Sequence, residues 1–483
     1  MESIKYYKWK KKELNLFKKS CNDILKIKEM QLYQPYYSLY FYIHNTKYSH
    51  KLIDIDRRYF IKEVLNIEVE KYHTSNINVS CKIFDKKNSS LKELELFCKC
   101  IPLLDPLHIM MNNYNNVVHR NPLLPSCYNH NTQMKINDMC NTAYIDTFMS
   151  YICSELTIND ILPTFPIFYG SINGIKESFN YDLTDEYHDY KQEKWFHKNL
   201  GKTYSIDMYI SSDDESDVES DNESNNESDN ESDISDNGEY ISLLKDIPVQ
   251  MFFIEKLEGT LEDLLNEDIE KLNADIIKSS IFQVSFALAY LQKHYLFTHN
   301  DLHINNVMFQ KTDKQFIYYK VNNLYYKVPT HGYLFKIIDF GRCIFTYRNK
   351  LFFNDTFYKH SEAGGQYTDP NNHLLFKQKE EESIQPNYNF DLCRLAITIL
   401  DVCNYDKTKE IKNNISFIDF IHSLTLTNEG ESLFDLEDDF DMYVSIAKYS
   451  SNSRPSKVLQ NYIFNDYKIK KKYFPKKLYY KLD

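Results

Sequence analysis

Two short stretches constrain this chain more than the rest of its 483 residues. Residues 298–309 read Thr-His-Asn-Asp-Leu-His-Ile-Asn-Asn-Val-Met-Phe, and residues 336–341 read Lys-Ile-Ile-Asp-Phe-Gly. Asp301 follows His299 closely and precedes Asn306, while Asp339 closes an apolar run before Phe340 and Gly341. Carboxylate, amide and carboxylate in this order suit the transfer of a phosphoryl group. Its negative charge calls for hard divalent cations, and the attacking hydroxyl needs a proton acceptor and a fixed line of approach. Asp301 fits proton acceptance, and Asn306 and Asp339 offer the hard oxygens that Mg²⁺ takes. The plain alternative is a buried polar turn in which Asp301 caps amides and Asp339 ends a strand.

The surroundings supply the context. From Asp275 to His294, Ile277, Ile281, Val284, Leu288 and Leu291 recur at spacings of three and four, which predicts a helix with one buried stripe leading into the His299 loop. Val307–Phe309 and Tyr333–Ile338 read as short strands, the second delivering Asp339 to the same edge. Upstream, residues 249–261 read as a buried strand, a linker and a turn at Gly259 before a short helix. Leu94 to Cys100 alternates as a half-buried strand with Lys99 among apolar neighbours, and Asn141 to Leu156 has a helical pattern carrying Asp146 and Glu155.

In this order of helix, loop and strands, residues 76 to about 465 resemble the protein kinase family, and in detail its haspin-type and giant-virus kinase-like branch. His303 stands where most protein kinases have lysine, and a hairpin-like insert, Gln315 to Pro329, precedes Asp339. Ile101 to Pro106 and Phe165 to Ser171 are similar to viral members of the superfamily. The resemblance implies an α+β, two-lobed protein-kinase-like fold with a small β-rich N-lobe and a larger, mainly helical C-lobe. It implies ATP as phosphoryl donor, Mg²⁺ as cofactor and a protein serine or threonine as acceptor. Asp301 is then the catalytic base, and Asn306 and Asp339 hold metal. Lys99 grips the phosphates, paired with Glu155, for which Asp146 competes. Ile254 is the gatekeeper, backbone groups of Glu255 and Leu257 meet the adenine edge, and Met308 floors the pocket. His299 and Asp391 support the catalytic loop. The domains expected are an extension over 1–75, an N-lobe over 76–258, a C-lobe over 259–465 and a basic tail over 466–483.

Departures from the pattern keep two other readings open. No glycine precedes Gly170, so the glycine-rich loop that lets backbone approach phosphate closely is missing. The hairpin in its place is expected around Ile77 to Phe84. A pseudokinase or scaffold is the reading this favours. The Asp-Leu-His-x-x-Asn run is also similar to the catalytic loop of aminoglycoside-type phosphotransferases, which act on small molecules. Asn300 replaces the arginine that would pair with a loop phosphate, so switching by loop phosphorylation is not expected.

The formal net charge of −12 is local: residues 213–239 hold thirteen Asp and Glu and no Lys or Arg, without which the chain stands at +1. This tract has almost nothing to bury and repels itself, which predicts a disordered acidic insert over 205–240. Its serines could be phosphorylated by an acidophilic kinase. Seven lysines between Lys468 and Lys481, interleaved with Tyr and Phe, suit either a solvated tail or contact with nucleic acid or another acidic surface. The ten cysteines form no Cys-x-x-Cys pair, and no run of about eighteen apolar residues occurs. Reduced thiols, no membrane segment, no secretion and a cytoplasmic location follow as expectations, with an AT-biased composition that fits a viral origin in a host cell or virion.

Overall fold

Alternating burial along the strands builds the first sheet. The structure, a computed structural model, describes residues 5–40, 53–68, 75–114, 123–126, 133–210, 238–266, 274–359, 361–367, 384–403, 415–436 and 439–483. It divides into two compact units, Met1–Asn137 with Ser171–Phe252, and Asp138–Gly170 with Phe253–Asp483.

The first unit is β-rich. Strands β1 (Tyr6–Lys8), β2 (Ile27–Gln31), β3 (Ile53–Ile55), β4 (Tyr59–Glu68), β5 (Ile77–Asp85), β6 (Ser90–Pro102), β7 (Phe168–Asp182), β8 (Tyr204–Ile210) and β9 (Gly238–Glu255) appear in chain order. One sheet runs β2-β7-β9-β6-β5-β4, with β8 on β9. On β6, Leu96, Cys98 and Cys100 are buried and Lys99, on the opposite face, is half-buried, as a period of two requires. Helix α1 (Lys11–Leu25) has Phe17 stacked on Trp9 at 5.7 Å, and the Trp9 indole donates to Asp54, which also pairs with buried Arg57 at 2.8 Å.

Two expectations change here. Residues 1–75 are not a separate extension, because β4 pairs with β5 from Tyr59↔Asp85 to Glu68↔Asn78 and belongs to the sheet. The hairpin before Lys99 is therefore β4–β5, joined by residues 69–76, of which 69–74 lie outside the described residues. The acidic insert is also shorter than 205–240. Tyr204 to Ile210 is a strand whose alternating apolar residues pair with Gly238 to Leu244, leaving 211–237, outside the described residues, between paired ends.

The second unit is mainly helical, with α2 (Thr142–Ile158), α3 (Ala274–Tyr295), α4 (Phe390–Val402) and α5 (Asp439–Tyr449). Its strands are β10 (Gly259–Thr260), β11 (Val307–Lys311), β12 (Phe316–Val321), β13 (Leu324–Pro329), β14 (Tyr333–Ile337), β15 (Phe345–Tyr347), β16 (Lys350–Phe352) and β17 (Tyr480–Leu482). Strand β11 lies between β10 and β14, with Val307 opposite Ile337. Among the described residues, only α3 is long and apolar enough by composition to cross a membrane, and Ile281, Val284, Leu288 and Leu291 are wholly buried in the protein.

The insert Gln315 to Pro329 forms the hairpin β12–β13, which captures the end of the chain. Strand β17 runs parallel to β12 with Tyr319 opposite Tyr480, and the Ile469 amide donates to the Tyr325 carbonyl at 2.8 Å. Residues 466–483 are thus anchored to the second unit and do not form a separate tail. Lys470, Lys471, Lys472, Lys476 and Lys477 remain exposed on the anchored segment.

Candidate functional site

The loop after α3 turns sharply, and two buried groups hold its backbone. Asn300 takes a left-handed φ of 63°, a conformation asparagine tolerates better than most residues. Asp391, in the first turn of α4 and fully buried, receives the N–H of His299 and of Asn300 at 3.0 Å. Burial pushes the Asp391 carboxyl above its usual range, while His299 and the two amides hold it down. The His299 ring donates from Nε2 to the Ile338 carbonyl at 2.9 Å, tying this loop to the residue before Asp339.

The orientation of Asn306 follows from its neighbours. Its side-chain nitrogen lies 2.8 Å from the Asp301 carbonyl oxygen, an acceptor, so the amide group must donate there. The same nitrogen meets His303 Nε2 at 2.9 Å, which makes that ring nitrogen an acceptor. Burial lowers the His303 pKa, with Arg394 acting the same way and the Asp301 and Asp339 carboxylates opposing it. Both N–H groups of Asn306 are thus spent on protein, leaving its carbonyl oxygen for a cation. The Asn306 carbonyl of the main chain also accepts from the Ile338 amide at 3.1 Å.

Asp339 has a left-handed φ of 61°, and its Oδ1 accepts from the Gly341 amide at 3.3 Å. A Cβ on Gly341 would stand 3.3 Å from that same oxygen, so glycine keeps the turn open. Asn306 and Asp339 together supply two hard oxygen donors, a set that suits Mg²⁺, which keeps waters and substrate phosphates for its other positions. Among the described residues no cluster of three or more His, Cys, Asp or Glu forms a dedicated metal cage.

Of the two candidate helix carboxylates, Asp146 bonds this turn. Asp146 is wholly buried on α2 and its Oδ1 accepts from the Phe340 amide at 3.0 Å. Glu155 sits half-buried about 13.5 Å further along the same helix at 1.5 Å per residue, near its C-terminal end. Lys99 stands on β6 of the first unit, as its alternation predicts.

Ile254, buried, and Glu255 end β9. The Glu255 amide donates to the Ile167 carbonyl at 2.9 Å, so only its carbonyl can serve an adenine edge. Its side chain pairs with buried Lys336 at 3.3 Å, and Lys336 also donates to the Phe165 carbonyl. Leu257 lies half-buried in the linker before β10, and Met308 is half-buried on β11 opposite Thr260 and Lys336.

Four side chains escaped the sequence reading. Tyr443 on α5 donates to Asp301 Oδ1 at 2.6 Å, and Arg394 on α4 donates to the Tyr443 hydroxyl at 3.3 Å. Lys336 carried a signal, a lone lysine in an apolar strand, whereas Tyr443 and Arg394 carried none. Tyr367 donates to the Asn300 side chain at 2.5 Å, so an uncharged hydrogen bond ties the segment after β16 to the His299–Asn306 loop.

No protein-family model matches the sequence. Mouse (Mus musculus) serine/threonine-protein kinase haspin is 32% identical over 91 residues, 19% of this chain and 12% of that protein. The haspin homolog of Drosophila melanogaster is 27% identical over 187 residues, 34% of this chain and 32% of the relative. The chain thus matches less than a third of the length of either relative. A solved ROP18 kinase domain, in complex with AMP-PNP and sucrose, aligns over 85% of this chain and 83% of its own at 9% identity, with a TM-score of 0.31. That likeness is too slight to bear on the fold, which rests on the strand order and the loop geometry described above. Over the matched stretches the chain is similar to haspin-type serine/threonine kinases, which supports a kinase-like superfamily.

Proposed function

We propose that the protein is a kinase-type phosphotransferase that moves the γ-phosphoryl group of ATP to a serine or threonine hydroxyl of a protein, with Mg²⁺. The observation that carries this reading is the fixed orientation of Asn306, which aims an amide oxygen for metal from the loop that presents Asp301. Asp301 takes the proton of the attacking hydroxyl, and Lys99 orients the donor phosphates. The metal, held by Asn306 and Asp339, supplies charge neutralisation. A cytoplasmic setting and exposed lysines of the anchored C-terminal segment that meet an acidic surface belong to the same proposal.

The test is transfer from γ-labelled ATP to mixed cell proteins and, separately, to small hydroxyl compounds. Asp301→Asn and Asp339→Ala should each lower transfer by orders of magnitude while the melting temperature holds. Unchanged turnover in both variants overturns the assignment, and label entering only small compounds favours the small-molecule reading. The glycine-free connection 69–76 supports a second reading, a pseudokinase. A folded wild type that transfers nothing and gains no stability with Mg·ATP would establish it.

A further inference from the structure

The acceptor side of Asp301 contains a side chain that the catalytic loop does not supply. A cavity of about 310 Å³ there is lined by Asp301, His303, Glu262, Arg394, Asp401 and Tyr443, among others. The Tyr443 hydroxyl donates to Asp301 Oδ1 at 2.6 Å and receives the Arg394 Nε–H at 3.3 Å, so guanidinium, phenol and carboxylate stand in series. Burial and the Asp301 charge push the Tyr443 phenol above its usual range, which keeps the hydroxyl protonated and donating. Its ring packs at 5.8 Å from Phe390 and beside buried Met442 and Ile446, with the Arg394 guanidinium 5.0 Å from its centre. These contacts fix the phenol in the fold and do not resemble those of a mobile cover. His303 cannot provide a cation at this point while its Nε2 accepts from Asn306.

The geometry points to Tyr443 as a positioning residue for phosphoryl transfer: it holds Asp301 Oδ1 so that Oδ2 takes the acceptor proton, with Arg394 behind it as the fixed cation of the acceptor side. This inference rests on the kinase reading proposed above. Holding one carboxylate oxygen restricts rotation of the base, and a base in one orientation gains effective concentration towards the hydroxyl.

The full chain is assayed with γ-labelled ATP and a heat-treated cell extract as acceptor, comparing wild type, Tyr443→Phe, Arg394→Gln, their double variant and Tyr449→Phe. Tyr449 is an exposed residue of the same helix and serves as control. Tyr443→Phe should lower the maximal rate about 10- to 100-fold, part of what a general base contributes. KM for ATP and the melting temperature should hold, and the double variant should be no slower than Tyr443→Phe, because the two groups act in series. An unchanged rate overturns the inference, and so does a faster one, which would make the hydroxyl a plug. Should Tyr443→Phe fail to fold, Arg394→Gln, which leaves the phenol in place, must still slow transfer with KM for ATP held. A wild type without activity overturns the kinase reading and this inference with it, whereas an active wild type with an equally active Tyr443→Phe overturns this inference alone.

Discussion

Replacing Asp391 by alanine tests how the His299–Asn306 loop is held. The carboxylate is wholly buried and receives two N–H groups, of His299 and Asn300, both from wholly buried residues. Truncation leaves two buried donors unsatisfied at about 1–3 kcal/mol each. Against that, it removes a carboxylate whose own burial is unfavourable, the leading cause of its raised pKa. The net loss should be about 2–4 kcal/mol, which lowers the melting temperature by roughly 2–4 °C in a protein of this size. Asp391→Asn keeps one acceptor oxygen but turns an amide N–H towards the other donor, so it should fall between wild type and alanine. The pH dependence has a definite sign. A folded-state pKa above the unfolded value of about 3.9 means that this group's contribution is complete below 3.9 and is lost as pH rises through the folded value. The gap between wild type and Asp391→Ala should therefore be wider in acid than at neutral pH. Urea and thermal unfolding across pH, with transfer measured in parallel, decide the matter. An Asp391→Ala protein with an unchanged midpoint and unchanged transfer would refute the account of the loop.

Protonating His303 removes the lone pair that accepts from Asn306, so transfer and stability should both decline as pH falls below about 6.5 through its lowered folded value. A pH-rate profile in which His303→Gln keeps the same acid limb as wild type would count against this. Asp146→Asn, which weakens the bond to the Phe340 amide, should slow transfer by roughly tenfold, the worth of about 1.4 kcal/mol. An Asp146→Asn protein with unchanged transfer would show that this bond does not matter to turnover. Because Ile210 and Gly238 already face each other across paired strands, replacing 211–237 by Asn-Gly should close a hairpin, with a melting temperature within a degree or two and transfer retained. A larger drop in melting temperature would show that 211–237 contribute to the fold.

The catalytic loop was legible because its chemistry is local: Asp301 and Asn306 share one turn, and Asp339 ends a strand whose apolar run stands out. The supporting groups come from far along the chain. Tyr443 lies 142 residues beyond Asp301, and nothing near it in the sequence marks an α5 tyrosine as facing that carboxylate. The α2 pattern identified a helix, but which carboxylate reaches Phe340 depends on how the helix seats in its unit. Strand β4 escaped for a different reason: its pairing with β5 shifts register between Ile61 and Glu63 and again between Val64 and Asn66. Bulges of this kind interrupt the period of two by which a strand is recognised. The lysine-rich end gave a composition signal for an exposed surface, and the backbone pairing that anchors it to β12 leaves no trace in composition.

The energetics of the buried carboxylates separate two questions that the missing glycines run together. Asp146 and Asp391 are both wholly buried, and each receives backbone N–H groups of a motif residue, Phe340 in one case and His299 with Asn300 in the other. Burying a carboxylate costs several kcal/mol, and well-packed apolar side chains often serve stability as well or better. Stability alone therefore gives no reason for a buried carboxylate behind each of these two turns. Under the proposed function, fixing where Asp301 and Asp339 stand does give one, because a base or metal ligand displaced by about 1 Å can lose a hundredfold in rate. Under the proposed function, the absence of glycine before Lys99 bears on a different matter, how closely backbone can approach the donor phosphates. Such contacts, when made equally in ground and transition states, set KM and leave kcat alone. Under the phosphotransferase function proposed above, the two features together predict a raised KM for ATP with an ordinary kcat, and a saturation curve separates that outcome from a scaffold.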